Sequence, residues 1–347
     1  MINAYKPKPY ISIVLCTHNG SNKMKSSLES LINQDYPKKD YEIIVVDDGS
    51  SDSTYEIVKK YGVRVIRHKT NIGIGAARNT GLRAAKGDIY VCFDDDCTAD
   101  KNWLKNLANV YKCNNAAGAG GKIINRAGKT IFEKYLLRTG YGNPLFVPTA
   151  NGKNLLERFI QYLKLKLIDY GTDNGNKTVK VFELAGANSS FKTKILREIG
   201  GWDTNLRSEE DSDICYRVLQ YAKNQYLYAT NSSVVYHDHN LTLMKYLSNI
   251  LNRGPNRRKF YLKHSIIPQV YPFPIIILGL SIIIFIHSYF YGLLFFILLP
   301  QILYFWWPLK YMRNFEIEYL QFPYIQFLVE LFSTIGMFIL SNKALEH

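Results

Sequence analysis

Short apolar runs alternate with helix-length segments through the first two-thirds of the chain, and this alternation restricts the possible folds more than any other feature. The runs Ile11 to Leu15, Glu42 to Val46 and Val63 to Arg67 have the length and β-branched content of strands. Helical spacing falls between them, near Lys23 to Asn33 and Ser53 to Tyr61. Strands separated by helices of this length are joined by parallel crossovers, which predicts an open α/β sheet. Ligands of such sheets sit beyond the carboxyl ends of the strands. The residues at those ends are Thr17-His18-Asn19, Asp47-Asp48-Gly49-Ser50 and, after a strand at Ile89 to Phe93, Asp94-Asp95-Asp96.

Three adjacent carboxylates repel one another, so a positive group is expected beside them. A strand that delivers the alternating pair Asp94 and Asp96 to the ligand edge can hold a hard divalent cation, and that cation can bridge phosphate oxygens. A solvated acidic loop is the plainer reading, but two other polar strand ends converge on the same crevice. In the stretch Asp47 to Thr54, Ser51 or Ser53 can cap a helix and Gly49 can turn the chain. Capping leaves two carboxylates unexplained, and these can accept hydrogen bonds from a ribose or a base edge.

Downstream, Asn71-Ile72-Gly73-Ile74-Gly75-Ala76-Ala77-Arg78-Asn79 combines glycines suited to tight turns with an arginine whose planar fork can clamp a diphosphate. The full dinucleotide and P-loop patterns are absent, which speaks against a Rossmann cofactor. Farther on stand Leu184 to Phe191, then Gly200-Gly201-Trp202-Asp203, then Glu209-Glu210-Asp211-Ser212-Asp213. A helix is predicted to start at Asp211, with Asp213 and Arg217 on one face and Ile214 and Val218 on another. Acidic residues are ordinary at a helix N-terminus. Four of them in five positions are harder to assign to capping alone.

The formal charge of +14 calls for an anionic partner. Nucleic acid is a poor candidate, because the densest basic cluster precedes an apolar region and no RNA-binding motif occurs. Five cysteines form no Cys-x-x-Cys pair, and Cys16 and Cys92 fall inside predicted strands as small hydrophobes. Met1 to Lys8 lack the apolar stretch of a secretory signal, so the N-terminal region is expected to stay in the cytoplasm. Leu345 to His347 resemble an expression-tag scar and carry no functional weight.

From Tyr271 the composition changes. Three mostly apolar segments follow, at 273–287, 289–307 and 323–341, the first two without Asp, Glu, Lys or Arg over Phe273 to Ile286 and Tyr289 to Trp307. A bilayer core takes roughly 17 to 25 residues per helix, so three membrane-embedded helices are expected, the first two as a hairpin and the third as a separate span. Arg253, Arg257, Arg258, Lys259 and Lys263 precede them, and Lys310 and Arg313 lie between the second and third. By the positive-inside rule both basic segments are cytoplasmic, which predicts a multi-pass protein of the cell membrane with its N-terminal domain on the inner face. Trp306, Trp307 and Tyr311 suit an interfacial belt. Glu330, inside the third segment, marks either a functional charge or a helix lying in the interface. The segment Asn154 to Asp169 has amphipathic spacing (Leu155, Leu156, Phe159, Ile160, Leu163 and Leu167 against Glu157, Arg158 and Lys164). It fits either a bilayer-lying helix or an ordinary helix packed on the sheet. The resulting division is a domain over 1–240, a basic interfacial segment over 241–270 and a membrane region over 271–344.

Taken in order, Thr17-His18-Asn19, Val46-Asp47-Asp48-Gly49-Ser50, Asn71-x-Gly73 with Ala77-Arg78-Asn79, Phe93-Asp94-Asp95-Asp96, Gly200-Gly201-Trp202-Asp203 and Glu210-Asp211-x-Asp213 resemble the family 2 glycosyltransferases. The likeness covers roughly residues 10 to 240. It implies a GT-A fold, a Rossmann-like nucleotide-diphospho-sugar transferase domain, here followed by an all-α membrane region. It also implies an inverting enzyme that uses a nucleotide-sugar donor with Mg²⁺ or Mn²⁺. On that likeness Thr17 and Asp48 contact the nucleoside and Arg78 lies near base or diphosphate. Asn19, Gly73, Trp202, Glu210 and Asp213 join the substrate-binding set. Asp94 to Asp96 form the D-x-D motif, with Asp95 near ribose and Asp96 on the metal. Asp211 is the implied general base. His237 is a candidate further ligand or a surface histidine, with His239 as an alternative to it. His18 replaces a commoner tyrosine, and Cys97 stands where a further acid is frequent. No Gln-x-x-Arg-Trp follows, which favours single transfer over processive synthesis.

The membrane half points to a lipid-linked acceptor, such as a polyprenyl-pyrophosphate glycan, with membrane lipids as further partners. A transferase acting on polyprenyl phosphate itself and a catalytically silent nucleotide-sugar-binding subunit are the competing readings.

Overall fold

The computed structural model describes residues 8–113, 115–125, 130–139, 154–167, 177–237, 241–269 and 271–339. The chain divides into two compact units, one comprising Met1–Arg126, Gly142–Pro148 and Asp173–His239, the other Ala127–Tyr141, Thr149–Thr172 and Asn240–His347.

The first unit is built on one nine-stranded sheet: β1 (Ile11–Thr17), β2 (Tyr41–Asp47), β3 (Arg64–Arg67), β4 (Ile89–Asp94), β5 (Cys97–Ala99), β6 (Ala116–Asn125), β7 (Thr178–Val181), β8 (Ser189–Lys192) and β9 (Tyr226–His237). The order is β3-β2-β1-β4-β8-β6-β9-β5, with β7 paired to β9. The expected parallel crossovers account for β1 to β4. Beyond β4 the sheet becomes mixed, because β8 runs antiparallel to both β4 and β6. Two faces alternate along β1 as the pleat requires. Ile11, Ile13 and Leu15 join one apolar cluster with Met24, Leu28, Leu31, Trp103 and Leu104. Val14 and Cys16 join the other with Ala77, Leu82, Ile214 and Val218. Helices therefore cover both faces, the α/β/α layering that a sheet apolar on both sides requires. Cys16 and Cys92 sit in the second cluster, and burial pushes the Cys92 thiol up to about 12.

Register delivers the polar strand ends to one edge. Thr17 pairs with Asp47, and Cys16 pairs with Asp94, so the carboxyl ends of β1, β2 and β4 lie on neighbouring rungs. The short strand β5 turns back antiparallel to β9, pairing Cys97 with His237. Residues 140 positions apart in sequence thereby meet beside the Asp94 to Asp96 motif.

The second unit is helical. Ile131–Thr139, Leu155–Leu167, Leu243–Lys263, Pro272–His287, Tyr289–Leu303, Trp306–Asn314 and Phe322–Phe338 enclose an aromatic core that includes Tyr135, Tyr162, Phe273, Tyr304, Trp306, Trp307 and Phe322. Helices occur at all three segments expected to be membrane-embedded; the first fills its range, and the second and third stop short of theirs. Among the described residues no single helix is long and apolar enough to cross a membrane. The pair Tyr289–Leu303 and Trp306–Arg313 has the length only with a 66° bend. The third, Phe322–Phe338, is a core helix: Phe322, Ile325, Phe327 and Glu330 are all buried.

Glu330 lies at the centre of a polar network. Tyr162 Oη donates to it at 2.7 Å, Tyr304 Oη at 3.0 Å and Gln326 Nε2 at 2.8 Å. Lys166 Nζ lies 3.8 Å away. The indoles of Trp306 and Trp307 both donate to Gln326 Oε1. Glu330 therefore ties three helices together through its bonding partners.

The amphipathic segment is helical over Leu155–Leu167, but its core-facing side differs from the expected one. Tyr162 is buried and Phe159 and Leu163 pack beside it, while Leu155, Leu156, Ile160 and Leu167 are exposed. Arg158, expected on the polar face, is fully buried, with Nε donating to the Ile267 carbonyl at 2.7 Å.

Gly254 of Leu243–Lys263 packs directly on Gly336 of Phe322–Phe338, where a Cβ would lie 2.2 Å from the Gly336 carbonyl carbon. An alanine in an open helical site is more favourable than glycine by about 0.8–1.0 kcal/mol. Gly254→Ala is expected to do the reverse, destabilising this unit by about 1–3 kcal/mol through overpacking. Limited proteolysis and thermal unfolding report it, and a variant more stable than the parent refutes the close packing.

Candidate functional site

Asp48 ends β2 in a turn that its own side chain organises. Its Oδ1 accepts from His68 Nδ1 at 2.6 Å and from Ile72 N at 3.1 Å, and its Oδ2 accepts from Gly73 N at 2.9 Å. His68 Nε2 in turn lies 3.0 Å from Thr80 Oγ1. The expected nucleoside contact is thus also the clasp of the Asn71 to Gly73 loop, in which Gly73 has φ 96°. Asn19 adopts the left-handed conformation (φ 54°). Its amide donates to Ser50 Oγ at 2.9 Å, and its Oδ1 accepts from Ser51 N at the same distance. Thr17 Oγ1 donates to Asp95 Oδ2 at 2.5 Å, joining the end of β1 to the acidic motif.

Arg78 projects from the helix Ile74–Ala84 and is 3% exposed. Its NH1 donates to Glu210 Oε1 at 3.0 Å and to Asp211 Oδ1 at 2.7 Å, and its NH2 stands 3.6 Å from Asp94 Oδ1. Rather than standing open to a diphosphate, the fork is given to three carboxylates of two motifs. Gly186 N donates to Asp211 Oδ2 at 3.0 Å, and no side chain fits there, since a Cβ would lie 2.4 Å from Arg78 NH2. Asp211 is held at both oxygens yet keeps its side chain 31% exposed, as a group acting on an external hydroxyl must.

Neighbouring Asn79 holds the Gly200 to Asp203 loop. Its Nδ2 donates to the Trp202 carbonyl, and its Oδ1 accepts from Trp202 N, both at 2.8 Å. Trp202 itself is buried, 5.2 Å from the Tyr90 ring and 5.9 Å from the Arg78 guanidinium. It supports Arg78 from below rather than lining an open site. Asp213 also departs from the expected set. It is fully buried and bonded to Arg217 Nε at 2.7 Å, and Arg217 donates to the carbonyls of Ile199 and Gly201. Its position makes it a brace for the loop.

Asp96 meets His237 Nε2 at 3.1 Å and Lys23 Nζ at 3.4 Å, with the Cys97 thiol 3.7 Å from its Oδ1. Ligand atoms of Asp96, Cys97 and His237 all lie within 4.8 Å of one another. His239 lies outside the described residues. His68 and Lys23 are site residues that the motifs did not reveal. The signal for His68 was present, a polar side chain just past the carboxyl end of a parallel strand.

Five carboxylates, Asp94, Asp95, Asp96, Glu210 and Asp211, converge here on Arg78 and Lys23. Two of them hold their protons unusually tightly. Burial raises Asp94 to about 6, opposed by Arg78 and reinforced by Asp96 and Asp211. Burial also raises Glu210 to about 7, with the Asp211 charge adding and Arg78 opposing. A donor set of carboxylate and imidazole, in a pocket short of positive charge, fits a hard divalent cation.

A linkage consequence follows. Folded Glu210 keeps its proton to about pH 7, whereas the unfolded chain releases it near 4.5. Between those values the folded state binds more protons, so stability from this group falls as pH rises. Glu210→Gln is expected to gain stability relative to the parent between about pH 5 and 7, measured by urea unfolding in EDTA. A difference that is flat with pH refutes the raised proton affinity.

Comparisons place this geometry. A profile described as Glycosyl transferase family 2 matches residues 12–200, more than half of the chain. The chain is 29% identical over 225 residues to the "Probable glycosyltransferase YdaM" of Bacillus subtilis, covering 61% of this chain and 47% of that protein. It is 26% identical over 238 residues to the "Glucosyl-dolichyl phosphate glucuronosyltransferase" of Haloferax volcanii, covering 65% of this chain and 68% of that protein. It spans about half the length of YdaM and 44% of glycosyltransferase AglE of Haloferax volcanii. Mannosyltransferase PcManGT from Pyrobaculum calidifontis, solved with GDP-Man and Mn²⁺, shares the fold at TM-score 0.56 and 17% identity, covering 95% of this chain and 87% of that one. The chain belongs to glycosyl transferase family 2, with a GT-A-like α/β domain followed by a helical C-terminal region.

Proposed function

We propose that this chain is an inverting, metal-dependent glycosyltransferase that moves one sugar from a nucleotide-sugar to a lipid-linked acceptor at the cytoplasmic face of a membrane. The observation that carries the reading is the Arg78 centre, which holds Asp211 beside the Asp94 to Asp96 motif at the carboxyl edge of the sheet. Asp48 and Thr17 stand where a nucleoside is received, each fixed by a second group, and a held carboxylate discriminates better than a mobile one. Asp96 and His237 supply the oxygen and nitrogen donors for Mg²⁺ or Mn²⁺, which when bound offsets charge on the departing nucleoside diphosphate. Asp211 accepts the proton of the attacking hydroxyl while Arg78 and Gly186 N fix its orientation. A lipid-linked acceptor is supported by the names of relatives, among them the glucosyl-dolichyl phosphate enzyme, and by the apolar helices of the second unit.

Thermal shift of the full chain against UDP-, GDP-, dTDP- and CMP-sugars, with Mn²⁺, Mg²⁺ or EDTA, is the direct test. One nucleotide class is expected to stabilise the protein only with metal, and Asp96→Ala is expected to abolish that shift. Asp211→Asn is expected to keep the shift and lower transfer to a hydroxyl acceptor by about 10² to 10⁴. A polyprenyl phosphate acceptor is already anionic, so undiminished transfer by Asp211→Asn to that lipid moves the assignment to a polyprenyl-phosphate transferase. No shift with any donor overturns the reading.

A further inference from the structure

The helices Pro272–His287 and Tyr289–Leu303 form a hairpin with Ser288 alone between them. Gly292 lets the second helix close on the first, where a Cβ would fall 2.5 Å from Phe285 Cα. The base of the hairpin is part of the aromatic core of its unit: Phe273, Ile277 and Leu299 are buried there with Tyr304. The tip is not. Past Ser281 on one arm and before Leu299 on the other, Gly292 is the one buried residue, and Ile282, Ile286, Phe290 and Leu298 are 57%, 75%, 68% and 47% exposed.

That surface is wrong for water and wrong for a helix lying flat. Soluble proteins rarely expose contiguous apolar patches beyond a few hundred Å². A helix resting in the interface keeps a polar face toward the headgroups. Neither arm has one, because neither contains Asp, Glu, Lys or Arg. At 1.5 Å per residue the uncovered arms are about 10 to 17 Å long. Half of a hydrocarbon core is about 15 Å thick. The chain on both sides of the base also carries exposed cations, Arg258 and Lys259 before it and Arg313 after it, which suits an anionic lipid surface.

We propose that this hairpin inserts into a single leaflet as a monotopic anchor, entering and leaving on the same side with the His287-Ser288 tip buried in hydrocarbon. The inference rests on the membrane-side reading above and replaces the multi-pass topology with a one-sided one. Its occupant is the acyl layer of an anionic bilayer. The core helix Phe322–Phe338 then has no span to make, in keeping with its burial.

The test uses the full chain on sealed vesicles of phosphatidylcholine and phosphatidylglycerol. The protein is expected to float with the vesicles. Ser288→Cys is expected to resist a membrane-impermeant maleimide added outside or trapped inside, and to react once detergent is added, as read by peptide mass. Reaction with trapped reagent means a spanning hairpin and overturns the proposal, and reaction with external reagent on floated protein means a surface contact and does the same. Ile286→Ser with Phe290→Ser is expected to lower vesicle partitioning by about tenfold or more, while the donor-dependent thermal shift persists. Unchanged partitioning, or detergent-free protein that pairs through the hairpin and ignores vesicles, also overturns it. Because the donor shift is read separately, failure of the anchor and failure of the transferase reading are distinguishable.

Discussion

One buried guanidinium organises the α/β unit of this chain. Arg78 collects Asp94 from β4 and Glu210 and Asp211 from the start of the helix Glu210–Tyr221, segments more than 110 residues apart in sequence. Burying a charge of either sign alone is costly, and removing one partner of a buried pair leaves the other uncompensated. Here neither side can leave: without Arg78 three acids would face one another in a low-dielectric crevice, and without the acids the arginine would be stranded. Burial is the main reason that Asp94 and Glu210 hold protons into the neutral range, with neighbouring carboxylates adding to it and Arg78 opposing. The assembly of these motifs thus suits the cation proposed for the site.

The fold was legible where local rules agreed. Apolar runs of strand length separated by helical spacing located β1 to β4, and the polar residues just past those strands defined the crevice. Mixed pairing beyond β4 was not legible, since β8 is only four residues long and its direction is set by where β6 and β9 lie. The motifs located these side chains, and the fold shows what each one contacts. Asp213 and Arg217 stand four apart on a helix, a spacing visible in the sequence, yet only the fold shows that Arg217 caps the carbonyls of Ile199 and Gly201. Trp202 likewise looks like a binding residue until its position beneath Arg78 is known. His68 escaped because its significance depends on Asp48 arriving from the neighbouring strand.

Hydropathy leaves the surroundings of the C-terminal unit open for a related reason. An apolar window does not distinguish a helix surrounded by lipid from one surrounded by aromatic side chains. Glu330 is the discriminating residue. In hydrocarbon a lone carboxylate is expensive, whereas here two tyrosines and a glutamine satisfy it and Lys166 stands nearby. The network also fixes Trp306 and Trp307 through Gln326, so residues that resemble an interfacial belt in sequence are core residues in the fold.

What separates the hairpin from the rest of this unit is how few polar partners it has: Gln301 Nε2 donates to the Leu320 carbonyl, and Tyr324 Oη donates to that of Ile297. The helix Phe322–Phe338 mixes Gln326, Glu330 and Ser333 among its apolar residues and finds a partner for each. Between Ser281 and Leu299 the hairpin is apolar apart from His287, Ser288, Tyr289 and Tyr291 near the tip. Protein interiors are specified by shape and by satisfied polar groups together. A surface with so little polar register is specified mainly by its solvent, and hydrocarbon is the solvent proposed for it.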